Sequence, residues 1–214
     1  MSNTIKRSAA TLRVLYPIWA VVGIYALVYV PSQLITVDAV ETAQNIVNNE
    51  FLFRSAILAA VLTQLFQAIV VILLRILFRE NGDPVCLSNL TIFGLVGIPI
   101  ALCGSVAGLA IIDNLTNPSV IASYLGWMKN SETIASLFWG MWLFPLGNLA
   151  VGSGFFPGFM KWTLWLAGIG YLLSIVVKIL APGQTSILAV TDIMVMGELV
   201  FILWFAVFGI QQKS

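Results

Sequence analysis

Residues 55–78 read SAILAAVLTQLFQAIVVILLRILF, an apolar run whose one charged side chain is Arg75. A helix rises about 1.5 Å per residue, so a run of this length can cross a hydrocarbon layer of about 30 Å. Apolar runs of roughly 10–14 residues are more typical of a core helix in a soluble domain. Residues 55–78 therefore predict a transmembrane helix.

Five further apolar stretches predict a bundle with six spans, at 14–30, 55–78, 87–112, 134–151, 162–181 and 187–211. Turn-forming or charged segments separate several of them: PSQ at 31–33, RENGDP at 79–84, DN at 113–114 and PGQ at 182–184. The fourth stretch is short and is interrupted by Pro145, so its limits are the least well defined by the sequence. The expected fold is all-α, a polytopic transmembrane helical bundle forming a single domain over residues 1–214.

The composition agrees with a membrane protein. Of 214 residues, 60% are hydrophobic and 9% are charged, whereas soluble domains carry about 25% charged residues. A net charge of +1 provides no basic surface for nucleic acid. The absence of His removes most zinc, haem and catalytic-triad sites. We therefore expect no catalytic residues, no metal, no cofactor and no nucleic-acid partner, and the distant Cys86 and Cys103 should be free thiols.

Basic residues near the ends of the spans predict the orientation, because cytoplasmic loops are enriched in Lys and Arg. With the N-terminus inside, seven of the ten basic residues lie on the cytoplasmic side: Lys6, Arg7, Arg13, Arg75, Arg79, Lys161 and Lys213. Arg54, Lys129 and Lys178 lie on the other side. The sequence predicts an N-in, C-in protein of the plasma membrane. A cleaved signal peptide is the alternative, but the first stretch is longer than a signal core and lacks a small-x-small cleavage site.

The polar segment between the first two spans, residues 33–53, predicts a short amphipathic helix on the outer membrane surface. Asp38 is a candidate N-cap with Glu41 at the third helical position. Apolar residues then recur at helical spacing, at Val40, Ala43, Val47 and Phe51, while Gln44, Asn45, Asn48 and Asn49 should face water. Glu50 and Arg54 are four residues apart and predict an ion pair. We name residues 33–53 the elbow; a structural turn and a lid over a cavity are both open for it.

Several short motifs resemble those of one membrane-protein family. They are LITVDA at 34–39, TAQNI at 42–46, EFLFR at 50–54, FWG at 138–140, SGFFP at 153–157, GIGYL at 168–172 and GEL at 197–199. Their order is similar to that of the bacterial membrane-protein family called domain of unknown function 4386. The resemblance implies a membrane protein with six or seven spans and brings no established activity.

Glu198 is the main candidate for a functional residue, because an ionisable side chain in the middle of a span is costly. The fifth and sixth spans form an antiparallel hairpin, so residues equally far from its turn lie at equal depth. Tyr171 and Glu198 satisfy this relation near the midplane and predict a hydrogen bond. Lys178 and Asp192 satisfy it about two turns nearer the outer side and predict an ion pair.

Amide side chains in other spans extend this candidate intramembrane polar site. Gln64 and Gln67 share one face of the second span, and Asn148 offers an amide from the fourth. These groups either form hydrogen bonds that hold helices together or line a polar cavity around Glu198. The two interpretations predict different functions.

Three classes of function are compatible with the sequence. The favoured one is a non-catalytic multi-pass membrane protein acting as a sensor, partner or scaffold. The alternative is a small-solute or ion transporter or channel that uses a polar cavity around Glu198. A membrane-embedded enzyme is disfavoured, because His is absent and the carboxylates are scattered. Membrane lipids are the expected partners, and a homo-oligomer or a membrane-protein partner is left open.

Overall fold

The computed structural model describes residues 2–211 and contains seven helices and no strand within that range. The predicted all-α class is confirmed. The helices are α1 (Asn3–Leu34), α2 (Ala39–Asn48), α3 (Glu50–Phe78), α4 (Pro84–Ile112), α5 (Pro118–Gly152), α6 (Phe159–Leu180) and α7 (Thr185–Phe208). All except α2 are long and apolar enough to cross a membrane, which confirms the six predicted spans. Lys213, which entered the charge count, lies outside the described residues.

The six long helices form a closed ring. Each packs against the next along the chain, and α7 packs against α1, so that α1 lies between α3 and α7. Because the number of spans is even, both ends of the described chain lie at the same end of the bundle, which we call the terminus end. We call the opposite end, which carries α2, the elbow end. Many large apolar side chains on the outside of the ring are exposed, including Val14, Leu58 and Leu203, as expected for a surface that contacts lipid.

The first helix is longer than the predicted 14–30 at both ends. A π-helical turn at Tyr25–Tyr29 separates Asn3–Ile24 from Val30–Leu34, and the N–H of Val30 donates to the carbonyl of Tyr25. Proline has no N–H and its ring crowds the preceding turn, so the wider π turn accommodates Pro31 inside the helix. Ser32 also donates its hydroxyl to the Tyr29 carbonyl at 2.7 Å. The expectation that residues 31–33 end the helix was wrong for this reason.

The fourth spanning helix also begins much earlier than predicted, at Pro118 rather than at residue 134. Asn117 caps it by accepting from the Val120 N–H at 3.3 Å, and Pro118 occupies the first turn. The polar residues at 129–132 hid this start, since they interrupt the apolar run. At 35 residues, α5 is about 52 Å long and exceeds the hydrocarbon thickness of about 30 Å. Pro145 lies inside it without ending it.

Smaller differences occur at the other ends. Helix α3 begins at Glu50 instead of 55, and α4 begins after Asp83, whose carboxylate accepts from the Cys86 N–H at 2.8 Å. Helix α6 covers Phe159–Leu180, where 162–181 was predicted, and α7 begins at Thr185 instead of 187. Helix α7 ends at Phe208, before Gly209 with its positive φ of 66°, rather than at 211. Both cysteines are free.

Arg13 ties the first helix to the last at the terminus end. Its guanidinium donates to the carbonyls of Ala206 at 3.1 Å and Val207 at 2.9 Å. These carbonyls belong to the last turn of α7, whose final carbonyls lack partners within the helix and carry partial negative charge. Arg13 therefore caps α7 and connects the two helices that no loop joins.

The elbow contains the predicted short helix, with Asp38 as its N-cap accepting from the Val40 and Glu41 N–H groups. One face of this helix packs on the bundle. Ala43 and Ile46 are buried against the bundle, whereas Val40, Val47 and Phe51 are exposed. Among the polar residues, Gln44, Asn48 and Asn49 are exposed as predicted. Asn45 is half-buried instead, because its amide donates to the Leu34 carbonyl at the end of α1, at 3.3 Å.

Two apolar clusters fill the bundle. The larger one contains aromatic side chains toward the terminus end, among them Tyr16, Phe78, Phe156, Phe201 and Phe205, all fully or almost fully buried. The smaller cluster lies at the elbow end and joins α1, α2 and α3 to the ends of α4 and α5.

Helices α5 and α6 approach most closely where two glycines face each other. A Cβ atom at Gly140 would lie 2.8 Å from the Tyr171 Cβ and 3.1 Å from the Gly168 carbonyl oxygen. A Cβ atom at Gly168 would in turn lie 2.9 Å from the Gly140 carbonyl oxygen. Small residues permit such close packing between membrane helices. This contact sets the position of Tyr171 relative to α5.

We expect Gly140→Ala to destabilise the protein by about 1–3 kcal/mol, because the new methyl group overpacks the α5–α6 contact. The matched control is Gly126→Ala in the same helix, where a Cβ would have no neighbour within 4 Å. This control should be neutral or slightly stabilising, since Ala favours helix more than Gly. Thermal unfolding of the purified protein in detergent measures both, and equal melting temperatures would contradict the role of Gly140.

Candidate intramembrane site

A cavity of about 170 Å³ lies beside Glu198 and extends from the interior of the ring to the boundary between α1 and α7, where the exposed Ile24 and Met196 line it. Helices α1, α3, α5, α6 and α7 all contribute to its wall. Its lining residues include Trp19 and Gly23 from α1, Thr63, Gln64 and Gln67 from α3, Trp139 and Trp142 from α5, Tyr171 from α6, and Met196 and Glu198 from α7. The structure thus brings together four of the five residues predicted for the intramembrane polar site. We call this space the Glu198 cavity.

Glu198 is buried, with 6% of its surface exposed. Tyr171 Oη donates to Glu198 Oε2 over 3.5 Å, which is longer than the usual 2.5–3.0 Å or so of an O–H···O hydrogen bond. The other oxygen, Oε1, has no hydrogen-bond partner among the described residues. No Lys or Arg within residues 2–211 forms a salt bridge with this carboxylate. Glu198 therefore has unused capacity to accept hydrogen bonds or to pair with a cation.

Aromatic rings form much of the wall around this carboxylate. The rings of Trp139 and Tyr171 meet edge to face with centroids 6.5 Å apart, and Trp19 and Trp142 do so at 6.3 Å. The indole N–H groups of Trp19 and Trp139 are buried and have no acceptor within the described part of the chain. Sequence reasoning missed both residues. Membrane Trp residues concentrate at the interfaces, and the observed bounds of α1 and α5 are what place Trp19 and Trp139 near midspan.

The two glutamines of α3 differ in their contacts although both are buried. Gln67 Nε2 donates to the Gly94 carbonyl of α4 at 3.0 Å, so Gln67 links two helices. Gln64 Oε1 has no partner in the described structure. Gln67 therefore fits the packing interpretation, whereas Gln64 fits the cavity interpretation.

A second cavity of about 370 Å³ adjoins the first toward the elbow end. Leu27, Gln64 and Trp139 line both cavities and mark the junction. The wall of the second cavity includes the exposed residues Val37, Lys129 and Glu132, so it reaches the protein surface. We call it the vestibule. The elbow borders it through residues 34–37 and Thr42, which places the elbow beside a cavity.

Asn148 does not belong to the Glu198 cavity. It lies on α5 nine residues beyond Trp139, which is about 13 Å farther toward the terminus end. Its half-buried side chain lies near that of Cys86 instead. The sequence placed Asn148 in the correct helix, but Asn148 lies near the end of α5 and away from the depth of Glu198.

The predicted ion pair between Lys178 and Asp192 is absent from the described structure, and both side chains are exposed. Equal distance from a turn fixes depth but not the direction around each helix. Thr191 is buried against α6, which turns the adjacent Asp192 away from that helix by about 100°. In contrast, the Glu50–Arg54 pair is present, with Arg54 Nη2 2.6 Å from Glu50 Oε1. It is a surface contact beside the elbow and touches neither cavity.

Comparison with known proteins places this architecture in one family. The profile described as Domain of unknown function (DUF4386) matches residues 14–209. The chain belongs to this family. The match includes every residue of the Glu198 cavity and of the vestibule. Among curated proteins and solved structures, none matches the DUF4386 chain.

We expect Gln67→Leu to lower the free energy of unfolding by about 0.6–1.7 kcal/mol, the range measured for hydrogen bonds between membrane helices. Gln64→Leu is the matched control one turn away. It should leave stability unchanged or raise it, since its buried amide oxygen has no partner to lose. Equilibrium unfolding in mixed micelles compares the two variants. Equal losses would show that Gln64 also holds helices together.

Proposed function

We propose that this DUF4386 protein is a non-catalytic membrane protein that binds a small solute in the Glu198 cavity. One observation carries the proposal: two buried side chains, Glu198 and Gln64, line the cavity with oxygens that have no hydrogen-bond partner in the described structure. Leaving buried polar groups unpaired costs about 1–3 kcal/mol each. A bound solute or water would satisfy them, and the cost marks this place as a binding site.

The route to the cavity supports the same proposal. The vestibule joins the protein surface at the elbow end to Gln64, and Gln64 stands at the edge of the Glu198 cavity. Small-molecule sites are concave and mostly apolar, with a few polar groups that orient the ligand. The Glu198 cavity has this character, because Trp and aliphatic side chains surround one carboxylate, one phenol and two amides.

The site is proposed as non-enzymatic, because no Ser, Cys, His or Lys side chain and no second carboxylate line the cavity beside Glu198. No cluster of three metal-binding side chains occurs among the described residues. We further propose that the protein lies in the plasma membrane of a bacterium with both ends in the cytoplasm, since most Lys and Arg residues lie at the terminus end. The elbow end and its vestibule would then face outward. Lipids surround the ring, and a homo-oligomer would need a partner on the same apolar surface.

Transport is a second candidate function, and the asymmetry of the bundle favours it. The Glu198 cavity borders the vestibule at Leu27, Gln64 and Trp139, while buried aromatic rings such as Phe156, Phe201 and Phe205 fill the bundle toward the terminus end. A site open to one side and closed to the other by side chains is what alternating access requires. A sensor needs no opening at the terminus end, so solute-dependent opening there distinguishes transport from sensing.

We expect a cysteine in the cavity wall to react with a small thiol reagent. In a background with Cys86→Ser and Cys103→Ser, Thr63→Cys should react with methyl methanethiosulfonate at least about tenfold faster than Val70→Cys. Both positions lie on α3 and both are buried, but Thr63 lines the cavity whereas Val70 is packed in the apolar core. Mass spectrometry of the protein in nanodiscs follows the labelling.

Equal rates at the two positions would contradict an accessible cavity and, with it, the proposed binding function. Lipid exposure cannot explain the expected difference, because the exposed fractions of Thr63 and Val70 are 4% and 0%. Melting temperatures of both cysteine variants serve as the control for folding.

A further inference from the structure

We infer that the solute of the Glu198 cavity is a small organic cation, such as a protonated or quaternary amine. This inference rests on the proposed function and specifies its ligand. It combines three features of the described structure: a buried carboxylate without a basic partner, a wall of aromatic rings around it, and the size of the space between them.

The Glu198 carboxylate determines the sign of the charge that the ligand carries. Glu198 Oε1 is unpaired, and no Lys or Arg in residues 2–211 bridges to Glu198. A buried carboxylate favours a cation or a hydrogen-bond donor and disfavours an anion, which like charge would repel. Tyr171 and Gln67 are neutral side chains, so neither supplies the positive charge that would balance the Glu198 carboxylate.

The aromatic wall selects an organic cation over a metal ion. Trp19, Trp139, Trp142 and Tyr171 line the cavity, and the faces of such rings attract ammonium groups. Sites for Ca²⁺ and Mg²⁺ surround the ion with oxygen ligands, whereas aromatic rings form much of the wall around the single carboxylate of this cavity. An alkylated ammonium group keeps its apolar surface in contact with the rings while its charge faces Glu198.

The volume restricts the ligand to a small molecule. A dry apolar cavity of about 150 Å³ holds one benzene molecule, so the 170 Å³ cavity accepts a group of about that size. A longer substituent can extend past Gln64 into the vestibule, where Lys129 and Glu132 balance each other in charge. The cation selectivity therefore resides at Glu198 and not at the vestibule.

Equilibrium binding of tritiated phenyltrimethylammonium to the full-length protein in nanodiscs tests this inference. The cation should bind saturably. Its neutral isostere tert-butylbenzene, in which carbon replaces the charged nitrogen, should compete at least about tenfold more weakly, as should the anion benzenesulfonate. Glu198→Gln, which keeps the size and removes the charge, should weaken binding of the cation by at least about tenfold.

A second pair of variants tests the aromatic wall. Trp19→Leu should weaken binding by about 2-fold to about 30-fold, as expected from the loss of a cation–π contact. Its matched control is Trp127→Leu, because Trp127 is 56% exposed and lines neither cavity. Melting temperatures of the variants exclude unfolding as the cause of weaker binding. The comparison of the cation with its neutral isostere uses the unaltered protein and therefore does not depend on the folding of any variant.

The results separate this inference from the proposed function. If tert-butylbenzene competes as well as the cation, or if the Glu198→Gln variant binds the cation normally, the inference of a cationic ligand is wrong. Solute binding in the cavity is not contradicted by either result. If phenyltrimethylammonium does not bind, the ligand class is overturned. The labelling of Thr63→Cys then decides independently whether the cavity admits solutes.

Discussion

The structure depends on how a carboxylate is accommodated in the middle of a membrane bundle. Charged groups in hydrocarbon cost several kcal/mol, so such a residue is placed inside the ring and beside other polar groups. Glu198 lies on the inner face of α7, and Tyr171 approaches it where Gly170 and Gly197 let α6 and α7 pack closely. The position of one charge thus determines which faces of α5, α6 and α7 turn inward, and it leaves a space that the aromatic rings enclose but do not fill.

Much of the fold follows from the sequence, because spanning helices must satisfy their own backbone hydrogen bonds and need about 20 apolar residues. This constraint is strong enough to fix six helices and their alternation. Local capping chemistry fixed the start of α2 at Asp38. Asn117 and Pro118 form the same kind of helix start. Hydropathy alone does not detect it, and it places the start of α5 too late. Pro31 predicts a helix end, but the π turn before it lets α1 continue to Leu34.

The sequence predicted the depth in the bundle of the residues around Glu198, but it did not predict the direction in which each side chain points around its helix. Equal distance from the turn of an antiparallel hairpin correctly predicted the contact between Tyr171 and Glu198. The same rule predicted a contact between Lys178 and Asp192, but these two side chains do not form an ion pair in the described structure. Depth is a property of chain length, whereas direction depends on which neighbours a helix packs against. The roles of Trp19 and Trp139 depend on contacts among five helices, which no single segment encodes. The difference between Gln64 and Gln67 likewise arises from one contact with Gly94.

Arg13 has a consequence for how the ring can move. The boundary between α1 and α7 is the one neighbouring pair of spanning helices that no loop joins, and its side-chain hydrogen bonds in the described structure all come from Arg13 at one end. Farther along this boundary, Ile24 and Met196 line the Glu198 cavity and are also exposed on the outside of the ring. Hydrogen bonds from Arg13 hold the two helices together at the terminus end, whereas apolar contacts hold them together beside the cavity. Separating α1 from α7 beside the Glu198 cavity would therefore break no side-chain hydrogen bond between the described residues of these two helices.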